Sequence, residues 1–363
     1  MDARVKKLRD MLIKREHHKY RRTLDRCLWK EFDERNLSAE RRMSERLRIV
    51  LSEEKPVVLP EERIACLRTV SNLPEIYSEE EKERLFGEFP WIVGNICPDY
   101  ATTIGLGLNC QRERCVRRLE GADAKQTEFL QCLLDCIDAV LDFARRYREE
   151  ALRVGNQTVA DTLSRVPAQG ARTLQEALQF FRILHFSLWC EGENHNCIGR
   201  FDQFMYPYWK RDMEEGRLTE EEAFSLLEEF FTTFNRDHDL YPGVQQGDNG
   251  QSMMLGGCDR QGNPVYNDLS TACLRASREL MMIDPKINLR VDKNTPPEVY
   301  YEGTLLTKAG LGFPQYANDD VVIPGLVRLG YDLEDARDYT VAACWEFIIP
   351  RWGMEIPNID AFS

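Results

Sequence analysis

The sequence has no run of 18 consecutive apolar residues, no surplus of basic charge, no internal repeat and no low-complexity linker. Each absence excludes something. Without a long apolar run, no transmembrane helix is expected. The 48 Lys+Arg stand against 61 Asp+Glu, a formal net charge of −13. That argues against nucleic acid or an anionic membrane as partner, because both need basic patches. The first 26 residues are charged throughout and lack the apolar stretch of a secretory signal, so a cytoplasmic location is expected. The 12 cysteines include no CxxC pair and are irregularly spaced, which fits a reducing, anaerobic compartment better than a disulfide framework. Cys132 and Cys136 stand one helical turn apart, but no further ligands complete a set. They read as buried structural thiols, and no metal is expected.

What is present is a chain of 363 residues, 43% apolar, enough to build a sizeable core. Residues 1–240 read as mainly helical and 241–363 as α/β. Residues 1–50 read as long solvated helices and 78–87 as a short helix opened by Ser78 and three glutamates. Residues 120–155 read as one long helix, with Leu130, Leu133, Leu134, Ile137 and Leu141 on its apolar side. Residues 172–190 and 219–235 read as helices in which a threonine, Thr173 or Thr219, is followed three residues on by glutamate, a reciprocal capping pattern. Beyond 240, short apolar runs at Ser252–Leu255, Ile287–Val291, Gly312–Tyr316 and Thr340–Cys344 alternate with helical stretches at Leu269–Met281, Glu298–Ala309 and Asp320–Leu329. Strands alternating with helices indicate an α/β layer.

The segment richest in chemistry is Cys344-Trp345-Glu346. Residues i and i+2 of a strand face one side, so a single strand through this segment places a thiol beside a carboxylate. The thiol suits hydrogen-atom transfer and the carboxylate suits proton transfer. Trp345 is then expected to point away from Cys344 and pack in the core. A cysteine-nucleophile hydrolase would instead need a histidine oriented by a third group. None of His17, His18, His185, His195 and His238 has such a setting.

Other stretches sharpen this reading. They are Gly199-Arg-Phe-Asp-Gln-Phe-Met-Tyr-Pro-Tyr-Trp, Leu255-Gly-Gly-Cys-Asp-Arg-Gln-Gly, Asp284-Pro-Lys-Ile-Asn-Leu-Arg-Val, Gly310-Leu-Gly-Phe-Pro-Gln-Tyr-Ala-Asn-Asp-Asp and Ala343-Cys-Trp-Glu. In this order the set resembles the glycyl radical enzymes of the pyruvate formate-lyase family, on the dehydratase and C–X lyase branch. Ala343 stands where pyruvate formate-lyase has a second cysteine, so acetyl transfer to coenzyme A is not expected.

The resemblance implies a helical N-terminal half wrapping the first half of a ten-stranded α/β barrel. It assigns Cys344 and Glu346 as catalytic. Glu193, Asn194, His195 and Asn196, with Asn95, Gln251 and Ser252, become candidate substrate contacts. Arg200, Asp202 and Gln203 read as a satisfied structural network, with a buried Arg–Asp pair fixing the loop after residue 199 as the other option. Gly256 and Gly257 should let other groups approach the backbone closely, and Asn318, Asp319 and Asp320 are expected to cap a helix. The resemblance further implies a small polar substrate, a homodimer, no bound cofactor, and a glycyl radical installed by a radical S-adenosylmethionine activating enzyme. No counterpart of the family's C-terminal glycyl radical segment, near "RVSGY", is found. The chain is therefore expected to be the N-terminal, cysteine-bearing part, relying on a C-terminal half or homologous subunit. The alternative is an inactive binding or regulatory remnant.

Overall fold

The computed structural model describes residues 1–86, 95–192, 196–237, 250–343, 345–351 and 354–355. In chain order, α1 (Ala3–Ile13), α2 (Leu28–Glu34), α3 (Ala39–Glu53) and α4 (Glu79–Phe86) precede the short strand β1 (Asn95–Ile96). Helices α5 (Tyr100–Leu106), α6 (Leu108–Leu119), α7 (Ala124–Val154), α8 (Gln157–Leu163) and α9 (Leu174–Cys190) follow. After α10 (Phe201–Phe204), α11 (Tyr206–Glu214) and α12 (Glu220–Thr233) comes an alternating run. It comprises β2 (Ser252–Gly256), α13 (Asp268–Leu280), β3 (Lys286–Val291), α14 (Pro297–Ala309), β4 (Gln315–Asn318) and α15 (Asp319–Arg328). The chain then passes through α16 (Leu333–Arg337), β5 (Thr340–Ala342), β6 (Glu346–Ile348) and β7 (Met354–Glu355).

Local chemistry explains several helix ends. Thr219 and Glu222 cap α12 reciprocally: the Glu222 amide donates to the Thr219 hydroxyl (3.2 Å) and the Thr219 amide to the Glu222 carboxylate (2.9 Å). Thr173 accepts from the Glu176 amide in the same way. The Glu176 carboxylate, however, takes the Arg172 amide at 2.7 Å, so only half of the expected box forms there. Asp123 and Gln126 box the start of α7, and Gly155, at φ +78°, ends it.

The residues divide into two compact units. One comprises His17–Val93 and Thr102–Glu193. Here α7 packs against α3, α6, α8 and α9. Its buried face is Val140, Phe143, Ala144, Tyr147 and Ala151, with Phe143 stacked on Phe186 of α9 at 5.3 Å. Of the expected stripe, Leu130 is buried while Leu133, Leu134, Ile137 and Leu141 are only half-buried. Residues 64–70 run through this core without helix or sheet. Side chains satisfy their backbone instead. Gln179 spans the Ala65 amide and carbonyl (2.8 and 3.1 Å), the Tyr147 hydroxyl meets both Leu67 groups at 3.0 Å, and Glu54 accepts from the Thr69 and Val70 amides.

The other unit comprises Met1–Glu16, Gly94–Ala101 and Asn194–Ser363. Strands β2, β3 and β4 are parallel, each joined to the next by a helix. Gly199 bridges Met253 and Asn196 bridges Ile96, both parallel. Five stretches therefore run side by side and in one direction: β1, residues 196–199, β2, β3 and β4. Strand β7 closes the β1 side antiparallel. Burial on both faces fits a parallel layer: every residue of β2 and all but Lys286 of β3 are buried. The apolar run expected at Gly312–Tyr316 begins as a turn. Gly310 and Gly312 take positive φ and Pro314 has no amide to give, so pairing starts only at Gln315. Helix α1 is not a solvated helix: Val5, Leu8 and Leu12 are buried and it packs on α12.

Candidate active site

The chain reverses at the cysteine segment rather than passing through it as one strand. β5 and β6 pair antiparallel, with Thr340 opposite Ile348, Val341 opposite Phe347 and Ala342 opposite Glu346. Only residues 343–345 lie between the last pair. The expectation that Cys344 and Glu346 share a face by i, i+2 alternation therefore does not apply, because that rule needs continuous extended backbone. Cys344 itself lies outside the described residues.

Both faces of this hairpin are covered. Val341 and Phe347 pack with Tyr339, Met254, Ala317, Leu326 and Ala336. Ala342 and Ile348 pack with Cys97 and Cys197. Glu346 is 9% exposed, and its carboxylate accepts the Trp345 amide at 2.9 Å. Trp345 is 39% exposed with its ring 5.6 Å from Phe347, so it lies at the surface rather than in the core. A three-residue connection turns this side chain outward, where a through-strand would have buried it.

Ala343 adopts φ +43°, a conformation that costs a residue with a Cβ on the order of 1 kcal/mol. Ser252, at the start of β2, holds it: the buried hydroxyl donates to the Ala343 carbonyl at 2.6 Å. Cys197 ties the hairpin's other end, its thiol donating to the Val341 carbonyl at 2.9 Å and its sulfur accepting the Gly199 amide at 3.2 Å. The Cys97 thiol is held well up from its ordinary range, first by its hydrogen bond to Cys197 and then by burial.

A buried polar network sets where β5 begins. Arg290 of β3 makes two 2.8 Å hydrogen bonds to Asp319, through Nε and Nη2, and a third of 2.8 Å to the Arg337 carbonyl. Its guanidinium lies 4.1 Å from the centre of the Tyr339 ring, and the Tyr339 hydroxyl donates to Asp319 at 2.7 Å. Burial works against the Arg290 cation, but the hydrogen bonds and charge of Asp319 outweigh it and keep the group above its ordinary pKa. Burial also pushes the Tyr339 phenol up. Asp319 thus serves Arg290, while Asn318 alone caps α15, accepting the Asp320 amide at 3.0 Å.

Arg200 and Asp202 do not form a direct pair. They bracket Gly256 from its two sides: Arg200 donates to the Gly256 carbonyl (3.1 Å) and to Asp338 (3.2 Å), and Asp202 accepts the Gly256 amide (2.7 Å) and the Ser270 hydroxyl. The glycines do admit a close neighbour. Gly257 has φ +76°, and a Cβ there would stand 2.8 Å from Cβ of Arg290.

Of the expected substrate contacts, Glu193, Asn194 and His195 lie outside the described residues, as does the side chain of Asn95. Asn196 is fully buried beside β1. Gln251 is fully buried but donates to the Phe234 carbonyl at 2.9 Å, tying the end of α12 to β2. Ser252 supports the hairpin. Asn288, which the sequence did not single out, stands between Met254 and Gln315 in the sheet register. Its only signal was its place two residues before Arg290.

A family model described as pyruvate formate lyase-like matches residues 71–359. The chain belongs to this family. Within the pyruvate formate lyase-like proteins it is 30% identical over 277 residues to (2S)-3-sulfopropanediol dehydratase of Klebsiella oxytoca, covering 70% of this chain and 34% of the relative. It is 27% identical over 291 residues to isethionate sulfite-lyase of Oleidesulfovibrio alaskensis, covering 73% and 34%. The chain thus spans about a third of the length of these relatives. A solved structure of 1,2-propanediol dehydration in Roseburia inulinivorans superposes with a TM-score of 0.83 at 25% identity, covering 96% of this chain and 55% of that one. The fold is the helix-rich α/β fold of these enzymes. No helix among the described residues is long and apolar enough to cross a membrane.

Proposed function

We propose that this chain supplies the cysteine loop of a glycyl radical dehydratase or lyase acting on a small hydroxylated substrate in a reducing, oxygen-free cytoplasm. The observation that carries the reading is the buried hairpin of β5 and β6: in sequence Cys344 falls between its two strands, and its first β6 residue, Glu346, is a carboxylate shielded from water. When present, a glycyl radical supplies the hydrogen-atom abstraction that starts turnover. Within this chain, the Cys344 thiol moves a hydrogen atom to and from a substrate carbon. Glu346 takes the proton of a substrate hydroxyl or returns it to the leaving group. Ser252, Cys197 and the Arg290–Asp319–Tyr339 network hold the loop so that neither group must be organised at the moment of reaction. Ala343 in place of a second cysteine leaves no acyl acceptor beside Cys344. The names of the relatives support a diol or hydroxy acid derivative over an acyl-coenzyme A.

The test uses the protein co-expressed with a C-terminal half that carries a glycyl radical segment, together with a radical S-adenosylmethionine activating enzyme and propane-1,2-diol, following product by chromatography and the radical by electron paramagnetic resonance. Cys344→Ala should abolish turnover while leaving any glycyl doublet in place. Glu346→Gln should lower turnover about 100-fold or more. Turnover by Cys344→Ala would overturn the reading.

A further inference from the structure

Asn288 is fully buried on β3, and among the described residues its Oδ1 has no hydrogen-bond partner. The orientation of the amide is set by its neighbour. Nδ2 stands 3.3 Å from the Lys286 carbonyl, which can only accept, so the nitrogen turns to it and the oxygen is left free. Buried acceptors are nearly always paired, and one left open is available to a donor from water or a bound molecule.

Its position says where that donor comes from. Parallel register sets Ser252, Met254 and Gly256 of β2 level with Lys286, Asn288 and Arg290 of β3, so these side chains leave the sheet on one face. That is the hairpin's face. Ser252 reaches the Ala343 carbonyl, Met254 packs on Val341, and Arg290 reaches the Tyr339 carbonyl. Asn288 thus opens its acceptor on the side of the sheet from which the cysteine hairpin is held. Gln251 also carries an unpartnered buried amide oxygen, but its amide nitrogen is committed to the end of α12.

We infer that Asn288 is a substrate-binding residue whose Oδ1 accepts a hydrogen bond from a hydroxyl of a substrate bound on the side of the sheet that carries the cysteine hairpin. The inference rests on the proposed function and deepens it. A neutral amide oxygen suits a neutral hydroxyl: it orients the C–O bond without the charge that a buried ammonium would require.

The test measures binding of propane-1,2-diol by saturation-transfer NMR titration, with no activation and no turnover. Wild type is compared with Asn288→Leu, similar in volume but without an acceptor, and with Asn288→Ala, which guards against misfit. Folding of each is checked by circular dichroism. Wild type should bind, and the folded variants should bind about tenfold more weakly. Equal binding by a folded variant would overturn the role of Asn288 while leaving the proposed function standing. Binding by neither wild type nor variants would overturn the proposed substrate class, and the inference with it.

Discussion

Replacing Asp319 by asparagine tests whether the network behind the hairpin does what its geometry implies. The substitution keeps shape and removes one charge. Arg290 has no exposed side-chain surface and Asp319 has 6%, so the guanidinium cannot recover water when its counter-charge goes. Breaking a buried pair in this way costs about 3–5 kcal/mol, because the remaining ion stays desolvated. Against a net stability of about 5–15 kcal/mol, that is about a fifth of the whole or more. The unfolded fraction should rise at least about 100-fold. Urea denaturation should show the midpoint falling by about 1 M, and amide exchange at Thr340–Ala342 should accelerate first. The double variant Arg290→Met with Asp319→Leu removes both charges. It should recover much of the loss, less the hydrogen bonds to the Arg337 and Tyr339 carbonyls. If Asp319→Asn costs less than about 1 kcal/mol, or the double variant is no better than the single, the reasoning fails.

Three further outcomes are expected. Ser252→Ala should cost about 1–3 kcal/mol, since it leaves the buried Ala343 carbonyl unpaired; unchanged stability together with unchanged exchange at the hairpin would contradict this. The Cys136 thiol, pushed up to about 12 by burial, should alkylate about 1,000-fold more slowly at pH 8 than a free thiol of pKa near 8.5, gaining about tenfold per pH unit; labelling at the free-thiol rate would show the side chain to be open. Burial raises Glu228 to about 7, above its unfolded value, so its contribution to stability is present below pH about 4.5 and lost as pH rises through 7. Glu228→Gln should therefore gain stability relative to wild type between pH 5 and 8 in parallel melts, and a gap that stays constant with pH would refute the assignment.

The sequence alone determined what depends on near neighbours. The long helix α7, the capped start of α12, and the alternation of strands and helices after residue 250 all follow from hydrogen bonds and side-chain spacings that close within a few residues. The ordered motifs were enough to place the chain among pyruvate formate lyase-like proteins.

Tertiary structure decided which of several locally equal options was taken. α7 carries two apolar stripes, and packing against neighbouring helices, with Phe143 stacked on Phe186 at 5.3 Å, makes the side of Phe143 the more buried one. Arg200 had Asp202 two residues away, yet both turned to Gly256, more than 50 residues on, where the backbone offers groups that must be satisfied. The cysteine segment reads as a strand because Thr340–Cys344 is apolar, but its reversal depends on Ser252 and Cys197, about 90 and 144 residues upstream. Nothing in Ile-Asn-Leu-Arg marks Asn288 as open. That emerges only when the register of β2, β3 and β4 fixes which face it shares and which donors are spent elsewhere. Partners this distant in sequence are chosen by the global balance of burial and hydrogen bonding, which no short window of residues contains.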